Sequence, residues 1–135
     1  MSLRITVYRE GATSTEALET IAEAQAALAE EGTVLWADLL GRSSASDQLL
    51  LEVFGFHPLA IEDVYKELHR PKVEDYDRYL YLILRGVSDG SRLEDVRTEE
   101  LDLFLGRNFV VSHHSTPLPS IDHVVDQVGR SPAAM

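Results

Sequence analysis

Apolar and polar residues alternate from the start of the chain. Leu3, Ile5 and Val7 are interleaved with Arg4, Thr6 and Tyr8, a period of two that predicts a strand ending at Gly11. Thr13 and Glu16 then stand at capping-box spacing. Leu18, Ile21, Ala22, Gln25, Leu28 and Ala29 follow on one helical face, which predicts a helix stopped at Gly32. Residues 34–39 predict a second strand around Trp36. Ser46 is placed to cap a short helix carrying Leu49, Leu50, Val53 and Phe54, with Gly55 as its stop. His57-Pro58 opens another helix through Leu59, Ile61, Val64, Tyr65 and Leu68, broken at Arg70-Pro71.

The second half reads as strands. Residues 76–86 set Leu80, Leu82 and Leu84 on one face and Tyr79, Tyr81 and Ile83 on the other, so a central strand with a layer on each side is expected. Ser88-Asp89-Gly90-Ser91 is a turn. Residues 96–105 and 109–112 predict two strands joined by a tight Gly106-Arg107-Asn108 hairpin, and Pro117 and Pro119 lead into a last helix over 120–128. Interleaved strands and helices argue for a layered α/β sandwich. We find no internal repeat and no low-complexity segment, and read residues 1–135 as one domain.

Composition narrows the partners. The 23 acidic residues outnumber 12 basic ones, giving a formal charge of −11. Such a surface repels phosphate and favours cations or basic surfaces over nucleic acid. There are no cysteines, which excludes thiolate chemistry and disulfides. No signal peptide is visible at Met1-Ser2-Leu3-Arg4, and the end at Met135 looks cut from a longer chain. The longest stretch without Asp, Glu, Lys or Arg is 108–121. It holds two prolines and is shorter than the ~18 apolar residues a membrane-spanning helix needs.

Candidate chemistry is sparse. Glu62 and Asp63 are adjacent on the helix that starts at Pro58, so both can edge one surface, and oxygen ligands of this kind suit Mg²⁺. On spacing alone a solvated helix face explains them. Glu94, Asp95, Glu99, Glu100 and Asp102 attract divalent cations weakly, but the polar face of a hairpin accounts for them as well. His113 and His114 point to opposite sides of a strand and are read as a surface strand end, while His57 is a helix-cap or loop residue. No phosphate loop, dinucleotide fingerprint, serine-nucleophile elbow or zinc-protease motif is present, and no enzyme activity is expected.

Three stretches together resemble the CorA family of Mg²⁺/Co²⁺ transporters: Phe54-Gly55-Phe56-His57-Pro58-Leu59-Ala60-Ile61-Glu62-Asp63-Val64, then Arg70-Pro71-Lys72-Val73-Glu74-Asp75-Tyr76, then Tyr79-Leu80-Tyr81-Leu82-Ile83-Leu84. Trp36-Ala37-Asp38-Leu39 is similar to the family's Trp-containing strand. The run from Glu100-Leu101-Asp102 through Gly106-Arg107-Asn108 to Ser112-His113-His114 is similar to its hairpin. The resemblance covers roughly residues 3 to 125. It implies an α/β/α layered sandwich with a mixed, largely antiparallel central sheet. It also implies a domain on the cytoplasmic side of the inner membrane, belonging to a homopentamer of identical subunits. In the family a stalk helix and two membrane spans with a Gly-Met-Asn signature follow, and this sequence contains none of them, so it is not expected to conduct ions alone. Glu62 and Asp63 take the place of the family's acidic pair, which helps hold regulatory Mg²⁺, or Co²⁺, between subunits; the matching carboxylates fall beyond Met135. Two alternatives stay open: a Zn²⁺-transporting relative of the same fold, or an assembly module that senses no ion.

Overall fold

The computed structural model describes residues 2–66, 70–87 and 98–130. Among them, seven strands form one sheet: β1 (Ser2–Arg9), β2 (Glu16–Leu18), β3 (Thr33–Leu40), β4 (Lys72–Asp75), β5 (Tyr79–Val87), β6 (Thr98–Gly106) and β7 (Phe109–His114). Their spatial order is β2-β1-β3-β7-β6-β5-β4. Every neighbouring pair is antiparallel except β3 and β7, which run parallel. A parallel pair needs a long crossover. Here it is made by α2 (Ser44–Gln48), a π-helical turn (Leu49–Val53), α3 (Pro58–Tyr65) and the β4-β5-β6 meander. Two further helices, α1 (Ile21–Ala29) and α4 (Pro119–Arg130), complete an α/β fold with a mixed, largely antiparallel sheet, as expected.

The main core lies on one face of the sheet. Ile5, Val7, Leu35, Ala37, Leu39, Tyr81, Ile83, Phe104 and Val111 are covered by Ala24, Ala27, Leu49, Leu50, Phe56, Ala60 and Val64. The Phe56 ring stacks on Phe104 with centroids 3.9 Å apart, and it follows Gly55, whose φ of +64° lets the chain leave the helical turn and drop the aromatic into the core. On the opposite face α4 alone, among the described residues, packs Ile121, Val125 and Val128 against Trp36, Val110 and Leu101.

Several boundaries differ from expectation. The segment read as the start of the first helix is instead strand β2, because Leu18 pairs with Ile5 and is buried there. The helix begins at the next Thr-x-x-Glu spacing: the Thr20 hydroxyl accepts from the Glu23 amide at 3.1 Å and donates to its carboxylate at 2.9 Å. Ser43 rather than Ser46 caps α2, with Ser46 completing the box from N3. α3 ends at Tyr65; Lys66 is already extended, and Leu68 lies outside the described residues. So do the expected turn at 88–91, the start of the strand predicted from 96, and Glu94 and Asp95. β4, not predicted, covers the edge of β5. β5 is therefore second from the edge, not central. Tyr79, Tyr81 and Ile83 are buried, while Leu80 and Leu84 remain 38% and 41% exposed, because α4 reaches only the middle of that face.

Candidate functional site

α3 owes its position to both ends. At the start, Pro58 supplies a fixed φ, and the His57 Nδ1 accepts the Leu59 amide at 3.1 Å. Along its inner face Ala60 and Val64 are buried. At its far end the Tyr65 hydroxyl shares a 3.0 Å hydrogen bond with Ser46, its ring meets His113 edge-on at 5.3 Å, and the Arg42 guanidinium lies 4.4 Å above it. Burial pushes the Tyr65 phenol up to about 12. With the inner face fixed, helical periodicity leaves Glu62 and Asp63 on the outer side.

The two carboxylates diverge. Glu62 is 57% exposed and meets Lys66, one turn on, at 2.9 Å. It borders a shallow depression of about 390 Å³ shared with Arg42, Pro58, Ile61, Tyr65 and Lys66. Asp63 is 27% exposed and turns towards β4, where Lys72 approaches it at 3.2 Å and Glu74 at 2.5 Å. The hydrogen bond to Glu74, with Asp63 beside it, raises the Lys72 pKa; Glu62 does the same for Lys66. Both predicted site residues therefore lie at the surface of one helix edge, but each has a lysine and they do not converge. Among the described residues no three His, Asp or Glu side chains are grouped to hold a metal ion. Hard monodentate oxygens fit Mg²⁺ in kind, and supply part of a coordination sphere rather than a whole one.

Two buried polar centres were not legible as such. Asp102, read as part of a solvated hairpin face, is 1% exposed and accepts from the Tyr81 hydroxyl at 2.5 Å. It shares its strand face with Phe104, which carries it into the core. His113 and His114, read as a surface strand end, are 4% and 3% exposed. They do point to opposite faces: His113 towards Tyr65 and the Gly41 carbonyl, His114 towards Asp38 on β3. The strand end is buried because α3 and the chain leading into α4 cover it from either side. A hint was available in sequence, since Asp38 is in phase with Trp36 and Ser112 with His114.

Residues 31–134 match the family described as CorA-like Mg²⁺ transporter protein. YfjQ of Bacillus subtilis (strain 168), which carries a metal-ion-transporter name, is 37% identical over 97 residues, 72% of this chain. The cobalt/magnesium transport protein CorA of Thermotoga maritima is 30% identical over 83 residues, 61% of this chain. The chain spans 29% and 24% of the length of these curated relatives. Among solved structures, full-length CmaX superposes with a TM-score of 0.73 at 21% identity, over 94% of this chain and 39% of that one, a likeness of fold.

Proposed function

This chain belongs to the CorA-like Mg²⁺ transporter family, and we propose that it is the cytosolic, cation-responsive domain of a longer transporter. In this reading identical subunits form a homopentamer at the cytoplasmic side of the inner membrane. The observation that carries it is the placement of Glu62 and Asp63 on the outer edge of α3, where Glu62 is 57% and Asp63 27% exposed and a lysine approaches each. The exposed Glu62–Lys66 pair contributes ~0–1 kcal/mol, so a divalent ion displaces Lys66 at little cost, while the half-buried Lys72 keeps Glu74 as a partner if an ion takes Asp63. Bridging carboxylates of two chains, it would offset the repulsion between domains that each carry a formal charge of −11. An ion that binds the closed assembly better shifts the population towards it; loss of the ion frees the domains and opens the pore.

The donor chemistry favours Mg²⁺, with Co²⁺, named for the Thermotoga relative, as the second candidate. Zn²⁺ prefers imidazole and thiolate. The chain has no cysteine, and His57, next to this helix edge, spends its Nδ1 on the α3 cap. This supports magnesium regulation over the zinc-transporting alternative. Among the described residues no helix is long and apolar enough to cross a membrane; transport belongs to the longer protein. In that protein, Asp63→Asn and Asp63→Lys are expected to raise the internal Mg²⁺ needed for inhibition by about tenfold, within the usual span of coupling between sites. Flux assays at graded internal Mg²⁺ measure this. An unchanged inhibition curve would overturn the sensing role and leave an assembly module.

A further inference from the structure

His114 ends β7 with its imidazole buried on the α4 side of the sheet. Its Nδ1 lies 2.6 Å from the Thr116 carbonyl oxygen, and its Nε2 lies 2.9 and 3.0 Å from the two Asp38 carboxylate oxygens. Both partners are acceptors. A neutral imidazole has one N–H and would turn a lone pair onto one of these oxygens; only the imidazolium satisfies both. The arrangement continues outward. Asp38 also accepts from the Ser112 hydroxyl at 2.6 Å and from Arg4 at 3.3 Å, and Arg4 reaches on to Asp122 in the first turn of α4 at 3.2 Å. Trp36 Nε1 donates to the Ser112 oxygen at 2.9 Å.

We propose that His114 is a proton-operated clasp: charged, it ties the segment leading into α4 to β3 through Thr116 and Asp38, and on losing its proton it lets that segment and α4 loosen from the Trp36 face of the sheet. One deprotonation leaves either the Thr116 carbonyl or the Asp38 carboxylate facing a lone pair in a dry site. Thr116 lies two residues before Leu118, whose carbonyl accepts the first α4 amides at 3.0 and 3.3 Å, so the strain is delivered at the helix start.

The charged groups around the clasp are Asp38 on β3, Arg4 on β1 and Asp122 on α4, with Glu99 of β6 bound to the Thr116 hydroxyl at 3.1 Å. His113 faces away, and burial lowers its pKa, so it competes little for the proton. Burial also acts to lower His114, but Asp38 and the Thr116 carbonyl outweigh it and hold the imidazole above its ordinary value. A raised histidine gives stability that is complete below about pH 6.5 and is lost as pH rises through its folded pKa. Each unit of that rise corresponds to about tenfold in the docking equilibrium.

The test is a pH series from 5.5 to 9 on the whole chain. Imidazole ¹⁵N shifts should show His114 with both nitrogens protonated at pH 6.5. Its deprotonation should coincide with a shift of the Trp36 indole N–H and with about tenfold or greater loss of amide protection across α4, corrected for intrinsic exchange. Asp38→Asn should lower the His114 pKa, and His114→Gln should flatten the pH dependence of α4 protection. A neutral His114 at pH 6 in the unaltered protein would overturn the proposal, whatever the variants do. So would a pH profile of α4 protection that is the same in His114→Gln.

Discussion

Asp38 and Asp102 are both buried, yet their surroundings hold them in opposite charge states. Burial alone would push Asp38 up, but donors from His114, Ser112 and Arg4 keep it below the ordinary carboxylate range. Asp102 has burial and the neighbouring Glu100 raising it to about 8, against the single hydroxyl of Tyr81. It therefore folds as a neutral acid, and folding takes up its proton. The sign follows from linkage: stability from this group is complete below about pH 4 and declines as pH climbs through about 8. Asp102→Asn retains an acceptor for Tyr81 and has no charge to bury. It should be more stable than the parent at pH 8, by on the order of 1 kcal/mol, and should lose the slope between about pH 4 and pH 8. Urea unfolding at a series of pH values measures both. A slope between about pH 4 and pH 8 that is unchanged in Asp102→Asn would mean that the carboxylate is already ionised in the fold across that range. His113 and His114, adjacent in sequence, act against each other on the acid side. Below about pH 6.5 the clasp of His114 is complete, while the buried, lowered His113 must charge.

Elements formed where two levels of pattern agreed. β3, buried on both faces, stands beside the one parallel pairing among the described strands, and the β6–β7 hairpin falls at Arg107-Asn108. The hairpin depends on Gly106 for space rather than for backbone freedom: a Cβ there would overlap the Phe109 ring, which packs on Phe54 with centroids 4.8 Å apart. Gly106→Ala should therefore lower stability by about 1–3 kcal/mol, the usual range for overpacking, and Phe109→Leu in the same chain should restore part of it. Midpoints of chemical denaturation check the pair. Where sequence failed, the two levels conflicted. Leu101, Leu103 and Leu105 make one face of β6 look like the buried one, but the core takes the other, with Asp102 and Phe104, because the aromatic residues Tyr79 and Tyr81 of β5 lie on that side. At β2, a sequence compatible with a helix start is overridden by three residues of edge pairing that no local pattern announces. For the site, the outward placement of Glu62 and Asp63 was legible from helical phase. Lys66, four residues after Glu62, was legible from the same phase; Lys72 was not, since a lysine nine residues from Asp63 reaches it only through the α3–β4 fold-back.

At the scale of the molecule, charge and ion binding make different claims that one comparison separates. A domain with a formal charge of −11 repels its copies, and any salt screens that repulsion over a distance of ~8 Å at physiological ionic strength. If Mg²⁺ acted only as such a screen, NaCl at matched ionic strength would reproduce its effect on melting and on self-association. Completion of the α3 edge by a neighbouring chain requires more. The ion must do better than screening, its advantage must grow with protein concentration because two chains share it, and the excess must depend on Glu62 and Asp63. On the longer protein, which carries the matching carboxylates, sedimentation velocity and thermal melts with millimolar Mg²⁺ against matched NaCl should show this excess. Asp63→Asn should abolish it while leaving the common screening response in place. Identical responses to the two salts would remove ion bridging from the account and leave the helix edge as a solvated face held by its lysines. The sheet's uncovered leucines offer a second route to association, but burying Leu80 and Leu84 is indifferent to the valence of the cation, so the comparison still isolates the carboxylates.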